Sequence, residues 1–139
     1  MDTYPRQYLY RRVVRAKLFI DAQFSSAIDL DNIADEACFS KFHFVRLFRS
    51  IYGQTPHQYL TEVRVRRAKI LLAEGSTVES VCYAVGFDSI SSFTGLFRRR
   101  VGETPAAFQR RELAKQDDIA ARPSKFVPNC FIEKRGWKE

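Results

Sequence analysis

The stretch from Phe48 to Pro56, FRSIYGQTP, is answered 49 residues later by Phe97 to Pro105, FRRRVGETP. Both read Phe-x4-Gly-x-Thr-Pro. The likeness extends outward at the same offset: Ser40 falls on Ser89, Phe44 on Phe93, Leu47 on Leu96 and Tyr59 on Phe108. Further upstream the offset becomes 48, which places Ile33-Ala34 on Val81-Cys82, Ala37 on Val85 and Phe39 on Phe87. One extra residue near Asp88 accounts for the change. The chain therefore carries one supersecondary unit twice.

The periodicity inside each copy is helical. A first amphipathic helix, begun after Pro5, buries Leu9, Val13, Ala16, Phe19 or Ile20, and Phe24 at spacings of three and four. Asp29 is placed to cap a short helix from Leu30 to Ala37, and Ser40 to cap the next. That next helix has an inward face of Phe44, Leu47, Phe48 and Ile51. Gly53 suits a left-handed position just past its end. Thr55-Pro56 then sets a hydroxyl cap before a proline at the first helical position, where a missing N–H costs nothing. The helix that follows runs to about Ala73, with Tyr59, Leu60, Val63, Ala68, Leu71 and Leu72 apolar. From Thr77 the order repeats: a short helix to about Val85, a turn at Gly86, a helix from about Ile90 to Val101, Gly102, and Thr104-Pro105 opening a last helix through Arg111. A short helix, a tight turn and a longer basic helix are the parts of a helix-turn-helix. The expected fold is all-α, with about seven helices. Its first helix-turn-helix subdomain spans about 8–54, its linker helix about 55–74 and its second subdomain about 75–112.

Composition narrows the function. The chain has 139 residues, 45% of them hydrophobic, enough for one ordinary domain or two very small ones. No apolar run approaches the roughly 18 residues a membrane helix needs, and the N-terminus lacks the pattern of a secretory signal. Three widely spaced cysteines do not suggest a disulfide framework, so the expected location is the cytoplasm. The net charge is +7, with 23 Lys and Arg against 16 Asp and Glu. Much of the excess is arginine, in Arg11-Arg12, Arg64-x-Arg66-Arg67, Arg98-Arg99-Arg100 and Arg110-Arg111. Its planar fork suits phosphate and guanine, which points to a polyanionic partner.

The run Ile33-Ala34…Ser40…Arg46-Leu47-Phe48…Gly53-x-Thr55-Pro56…Arg64…Ala68…Leu71-Leu72…Val85-Gly86-Phe87…Phe93…Phe97…Gly102-x-Thr104-Pro105 resembles the DNA-binding region of AraC/XylS-type transcription regulators. The resemblance covers about residues 8–112 and is most specific from Val85 to Pro105. It implies two recognition helices entering neighbouring major grooves of double-stranded DNA, usually to activate transcription, often through contact with RNA polymerase. Fewer than ten residues precede the first helix, so the likeness is to the short stand-alone members, which implies a monomer on DNA. A linker of about 18 residues spans roughly 27 Å. Successive major grooves lie roughly 34 Å apart on one face of the duplex, so either some DNA bending is expected or one subdomain engages poorly.

With Phe44, Leu47, Phe48 and Ile51 inward, the outward stripe of the first recognition helix is Phe42, Val45, Arg46 and Arg49. Arg46 is the candidate for a guanine edge, and Phe42 and Val45 for a thymine methyl; alternatively Phe42 packs on the first helix. Ser40, Lys41, His43 and Arg49 are candidate phosphate contacts. In the second copy the stripe is Ser91, Thr94, Gly95 and Arg98. Gly95 stands level with Arg46, where family members often carry a longer polar side chain. Ser91 and Thr94 are therefore modest base contacts, with Ser89, Ser92, Arg98 and Arg99 on the backbone.

Other chemistry finds little footing. His43 and His57 are 14 residues apart with no cysteine at metal-like spacing, so no metal or cofactor is expected. No nucleophile–base or paired-carboxylate pattern indicates an enzyme. Cys38 and Cys82 read as small apolar fillers. Arg64, Arg66 and Arg67 are candidates for internal pairing with Glu62 or Asp35. The tail, 113–139, holds Phe126, Val127, Phe131, Ile132 and Trp137 after a polar start. It docks on the second subdomain, stays disordered, or opens a further region. Two other functions compete: an interaction module of this fold that reads no DNA, and a nonspecific nucleic-acid binder.

Overall fold

The computed structural model of the chain describes residues 3–28 and 41–128, with side chains from residue 7 onward. The expected helix from Leu30 to Ala37, with Asp29, Cys38 and Ser40, lies outside the described residues, as do Cys130, Phe131, Ile132 and Trp137. Among the described residues the structure is helical without strands. None of these helices is long and apolar enough to cross a membrane.

Helix α1 (Thr3–Gln23) includes Pro5 in its first turn, where the N–H has no helical partner to lose. Its buried face is Val13, Ala16 and Ile20. Of the two residues expected there as alternatives, Ile20 is inside and Phe19 is 46% exposed, because only Ile20 continues the 13–16–20 spacing. Helix α2 (Lys41–Tyr52) buries Phe44 and Phe48. Ile51, expected inward, is instead 40% exposed. The buried edge advances by fours, through residues 44, 48 and 52. Tyr52 packs against the core and lies 4.8 Å from the Phe48 ring, centroid to centroid.

Helix α3 (Pro56–Ala73) opens on a reciprocal capping box: Thr55 accepts from the Gln58 N–H, and the Gln58 side chain accepts from the Thr55 N–H. Helix α4 (Val78–Ala84) is capped by Thr77 and α5 (Ile90–Val101) by Ser89. Gly53 and Gly102, the repeated glycines, sit at φ of 76° and 95°, the left-handed stop that an L side chain resists. Helix α6 (Pro105–Ala121) begins under a Thr104 cap. It runs ten residues beyond the end expected at Arg111. Glu112 to Ala121 looks polar but is rich in strong helix formers, and Gln116 donates to the Ala73 carbonyl at 2.8 Å. The stop comes at Arg122, pushed out of helical dihedrals by Pro123. A 3-10 turn, Pro123–Phe126, then folds back, with Lys125 paired to Asp118 at 3.0 Å.

Two cores result, and α3 supplies a wall to each. Val13, Ala16, Ile20, Phe44 and Phe48 pack on Tyr59, Leu60 and Val63. Val81, Cys82, Val85, Phe93, Phe97 and Phe108 pack on Val65, Ala68 and Leu72. The division falls between Val63 and Val65. Cys82 is a buried filler in the second core, its thiol pushed up by burial. Each core is closed by a side chain reaching back to carbonyls around the end of the preceding long helix, where the helical ladder runs out. Arg64 donates to Phe24 O at 2.8 Å and Ser26 O at 3.1 Å. Gln109 donates to Leu72 O at 3.1 Å and Ser76 O at 2.5 Å. The first core gains a polar latch where Asp21 pairs with Lys17 at 2.8 Å and accepts from the Tyr59 hydroxyl. Burial alone would raise Asp21, but those two partners outweigh it and hold the carboxyl below its usual value.

Candidate nucleic-acid interface

The candidate interface lies on α2 and α5, whose inward phenylalanines fix which side chains face out. With Phe44 and Phe48 anchored, Phe42 is 78% exposed, Arg46 and Arg49 are exposed, and Val45 is half-buried. An aromatic ring left that open does not pack on α1. With Phe93 and Phe97 anchored in α5, Ser91 and Arg98 are exposed, while Thr94 and Gly95 are half-buried. Each expected stripe thus occupies a single outer face, and the two faces match by the repeat.

The polar flank follows the same order. Lys41, His43, Ser92 and Arg99 are exposed. Ser89 accepts the Ser92 N–H at 3.2 Å. That bond uses an oxygen lone pair and leaves the hydroxyl proton for an outside acceptor such as phosphate. Ser40, its counterpart in the first copy, lies outside the described residues.

Charge is partitioned in a way that bears on binding. Arg66 is tied to Glu62 at 2.8 Å, and Arg111 to Glu103 at 2.6 Å. Glu62 is held below its usual pKa by the Gln54 amide and then by Arg66. Arg64, whose pKa burial lowers, spends its donors on two carbonyls. By contrast Arg46, Arg49, Arg98 and Arg99 have no ion-pair partner among the described residues. These four arginines are uncommitted among the described residues, which is what a surface that meets phosphates requires. Among the described residues no group of three His, Cys, Asp or Glu could hold a metal ion.

A protein-family model described as a helix-turn-helix domain matches residues 33–111, more than half of the chain. The chain belongs to the AraC-type helix-turn-helix transcription regulators. It is 32% identical over 101 residues to the bifunctional transcriptional activator/DNA repair enzyme AdaA of Bacillus subtilis, covering 72% of this chain and 47% of that protein. It is also 32% identical over 102 residues to the HTH-type transcriptional regulator ExsA of Pseudomonas aeruginosa, covering 73% of this chain and 37% of that protein. The chain thus spans about half, or less, of the length of these relatives. Its fold superposes with a TM-score of 0.67 on the DNA-binding domain of AdpA, a global transcriptional factor crystallised with a target DNA, at 30% identity. That match covers 80% of this chain and 96% of the other.

As an AraC-type regulator the chain departs from its own sequence pattern in one instructive place. The pattern reading treats Arg64 as one of several arginines available for ion pairs. The structure makes it the connection between α3, the segment after α1 and, through the Phe87 ring 5.8 Å from its guanidinium, the second copy. A signal was present in the sequence: Arg64 lies one residue beyond Val63 and one before Val65, at the point where α3 passes from one core to the other.

Proposed function

We propose that the chain is a sequence-specific DNA-binding regulator, of activating type, that reads double-stranded DNA as a monomer with α2 and α5 in adjacent major grooves. It acts by binding rather than by catalysis. Phe42, Val45 and Arg46, with Ser91 and Thr94, read bases; Lys41, His43, Arg49, Ser89, Ser92, Arg98 and Arg99, with Ser40, hold phosphates. Residues 8–54 and 75–112 are the two heads and 55–74 the strut between them, with 113–139 as an appended tail. The observation that carries this reading is the pair of matched outer faces, each fixed by two buried phenylalanines and each bearing uncommitted arginines. Two heads in one chain supply what a dimer of single heads otherwise would, which supports monomeric binding. AdaA is named a transcriptional activator, which supports activation and, with it, contact with RNA polymerase.

The heads are unequal, and that gives the test. Phe42, Val45 and Arg46 offer a guanine ligand and two apolar surfaces; Ser91 and Thr94 offer short hydroxyls beside Gly95. A good bidentate contact contributes about 1–3 kcal/mol of discrimination. Selection from random duplexes is therefore expected to return a non-palindromic site, one strongly specified half beside one tolerant half, with one chain per duplex. A palindromic site with two chains bound refutes the monomer. Absence of binding at low salt refutes DNA reading and leaves an interaction module; equal affinity for all duplexes leaves a nonspecific binder.

A further inference from the structure

Three elements that belong to different parts of the fold meet at one point. Phe24, just past the end of α1, packs against both hydrophobic cores. Arg64, midway along α3, donates to the Phe24 and Ser26 carbonyls at 2.8 and 3.1 Å. Gly86, in the turn of the second helix-turn-helix, closes the contact from the other side. A Cβ placed on Gly86 would lie 2.8 Å from the Phe24 carbonyl oxygen and 3.0 Å from Arg64 Nε. The Phe87 ring follows, with the Arg64 guanidinium 5.8 Å from its centroid. The carbonyl that Arg64 binds is thus the atom on which the second head's turn rests. Asp88 adds a favourable charge toward the guanidinium, which burial otherwise disfavours.

We propose that Phe24, Arg64 and the Gly86–Phe87 turn form a joint that fixes the angle between the two recognition helices, and so sets the half-site spacing the protein accepts. Arg64 is a positioning residue: it acts on DNA only through the heads it holds. Among the described residues α3 is the helix that supplies a wall to both cores, and without the joint the heads can tilt about it. With the joint, the backbone of the first head bears directly on the turn that aims α5. The idea rests on the DNA reading proposed above.

The test is a spacing scan. Inserting one base pair between the halves of the selected site rotates one half by about 35° and shifts it by about 3.4 Å. Wild-type protein is expected to lose about tenfold in affinity on that insertion, because a stiff pair of heads must deform the DNA instead. Arg64→Met keeps the apolar stem and removes the donors. It is expected to bind the best site several-fold more weakly and then lose no more than about twofold on insertion. A residue that merely stabilised the fold would lower affinity at every spacing and leave the profile sharp, so a sharp profile in Arg64→Met overturns the joint. A glycine pair gives a second measure. Gly75 and Gly86 have φ of 97° and 99°, so an alanine is comparably strained at both, yet a Cβ at Gly75 meets nothing within 4 Å. Gly86→Ala should flatten the spacing profile and Gly75→Ala should not; equal profiles count against the joint.

Unfolding separates failure of the joint from failure of the DNA reading. Wild type is expected to unfold in one transition and Arg64→Met in two, one for each core. If the wild type binds no duplex, the DNA reading fails and the joint is judged by unfolding alone. Two transitions in the wild type, or one in Arg64→Met, overturn it.

Discussion

Gly95 lies inside α5, where glycine costs about 0.8–1.0 kcal/mol relative to alanine through lost backbone freedom. Among the described residues nothing requires its small size. A Cβ built there meets only Arg99 Nη1, at 3.5 Å, an ordinary contact with the far end of a flexible side chain. Gly95→Ala should therefore stabilise the protein by about 1 kcal/mol. With an unfolding entropy of about 2.1 cal/mol/K per residue, that corresponds to a rise in Tm of roughly 3 °C for a chain of this size. The urea midpoint should rise by about 0.5 M at a typical slope. Thermal and urea melts followed by circular dichroism check both. Gly95→Arg extends the argument to function: it restores a guanidinium level with Arg46 and should add about 1–3 kcal/mol of preference at one base pair of the tolerant half. A Tm that is unchanged or lower in Gly95→Ala would refute the claim of open space. A tolerant half that stays tolerant in Gly95→Arg would show that α5 does not present position 95 to the bases.

Arg46→Ala should cost about 1–3 kcal/mol at the preferred site and relax discrimination at one base pair; equal loss on random duplexes, by fluorescence anisotropy, would make Arg46 a phosphate contact. Arg98→Ala should weaken binding to all sequences by similar factors and make the salt slope shallower by about one unit, so an unchanged slope counts against it. Asp21→Asn should destabilise the protein by roughly 1 kcal/mol at neutral pH through loss of the charged partner of Lys17 and Tyr59. The folded Asp21 carboxyl lies below its ordinary pKa. Its contribution is therefore complete above about pH 4 and lost as pH falls through the lower folded value. The gap between the two proteins in urea melts should close in strong acid; a constant gap would refute the ion pair as its source.

Most of the fold is legible in the sequence because the repeat states it twice and the caps mark each start. Thr55, Thr77, Ser89 and Thr104 all accept the N–H three residues on. The misses share a cause: local pattern does not say how far a face rotates or how long a helix persists. Ile51 and Tyr52 are adjacent and both apolar, and the choice between them is made by Tyr59 across the core, whose ring lies 6.2 Å from that of Tyr52. Helix α6 outruns its expected end because Gln116 finds a carbonyl 43 residues earlier, at Ala73. The outer faces follow from the inward phenylalanines. The Arg64 contacts do not, since they depend on a carbonyl 40 residues away.

The repeat reaches further than the two heads. Helices α3 and α6 both start at Thr-Pro and have nearly the same length, 18 and 17 residues. The duplicated module is therefore a head together with its strut, and α6 copies a strut that, in the first module, carries another head at its far end. The architecture is modular in the manner of a chain of links rather than a closed pair. The two struts end differently, α3 at Glu74 and the left-handed Gly75 with φ of 97°, α6 at Arg122 ahead of Pro123, so a further link grafted after Ala121 would need that turn rebuilt.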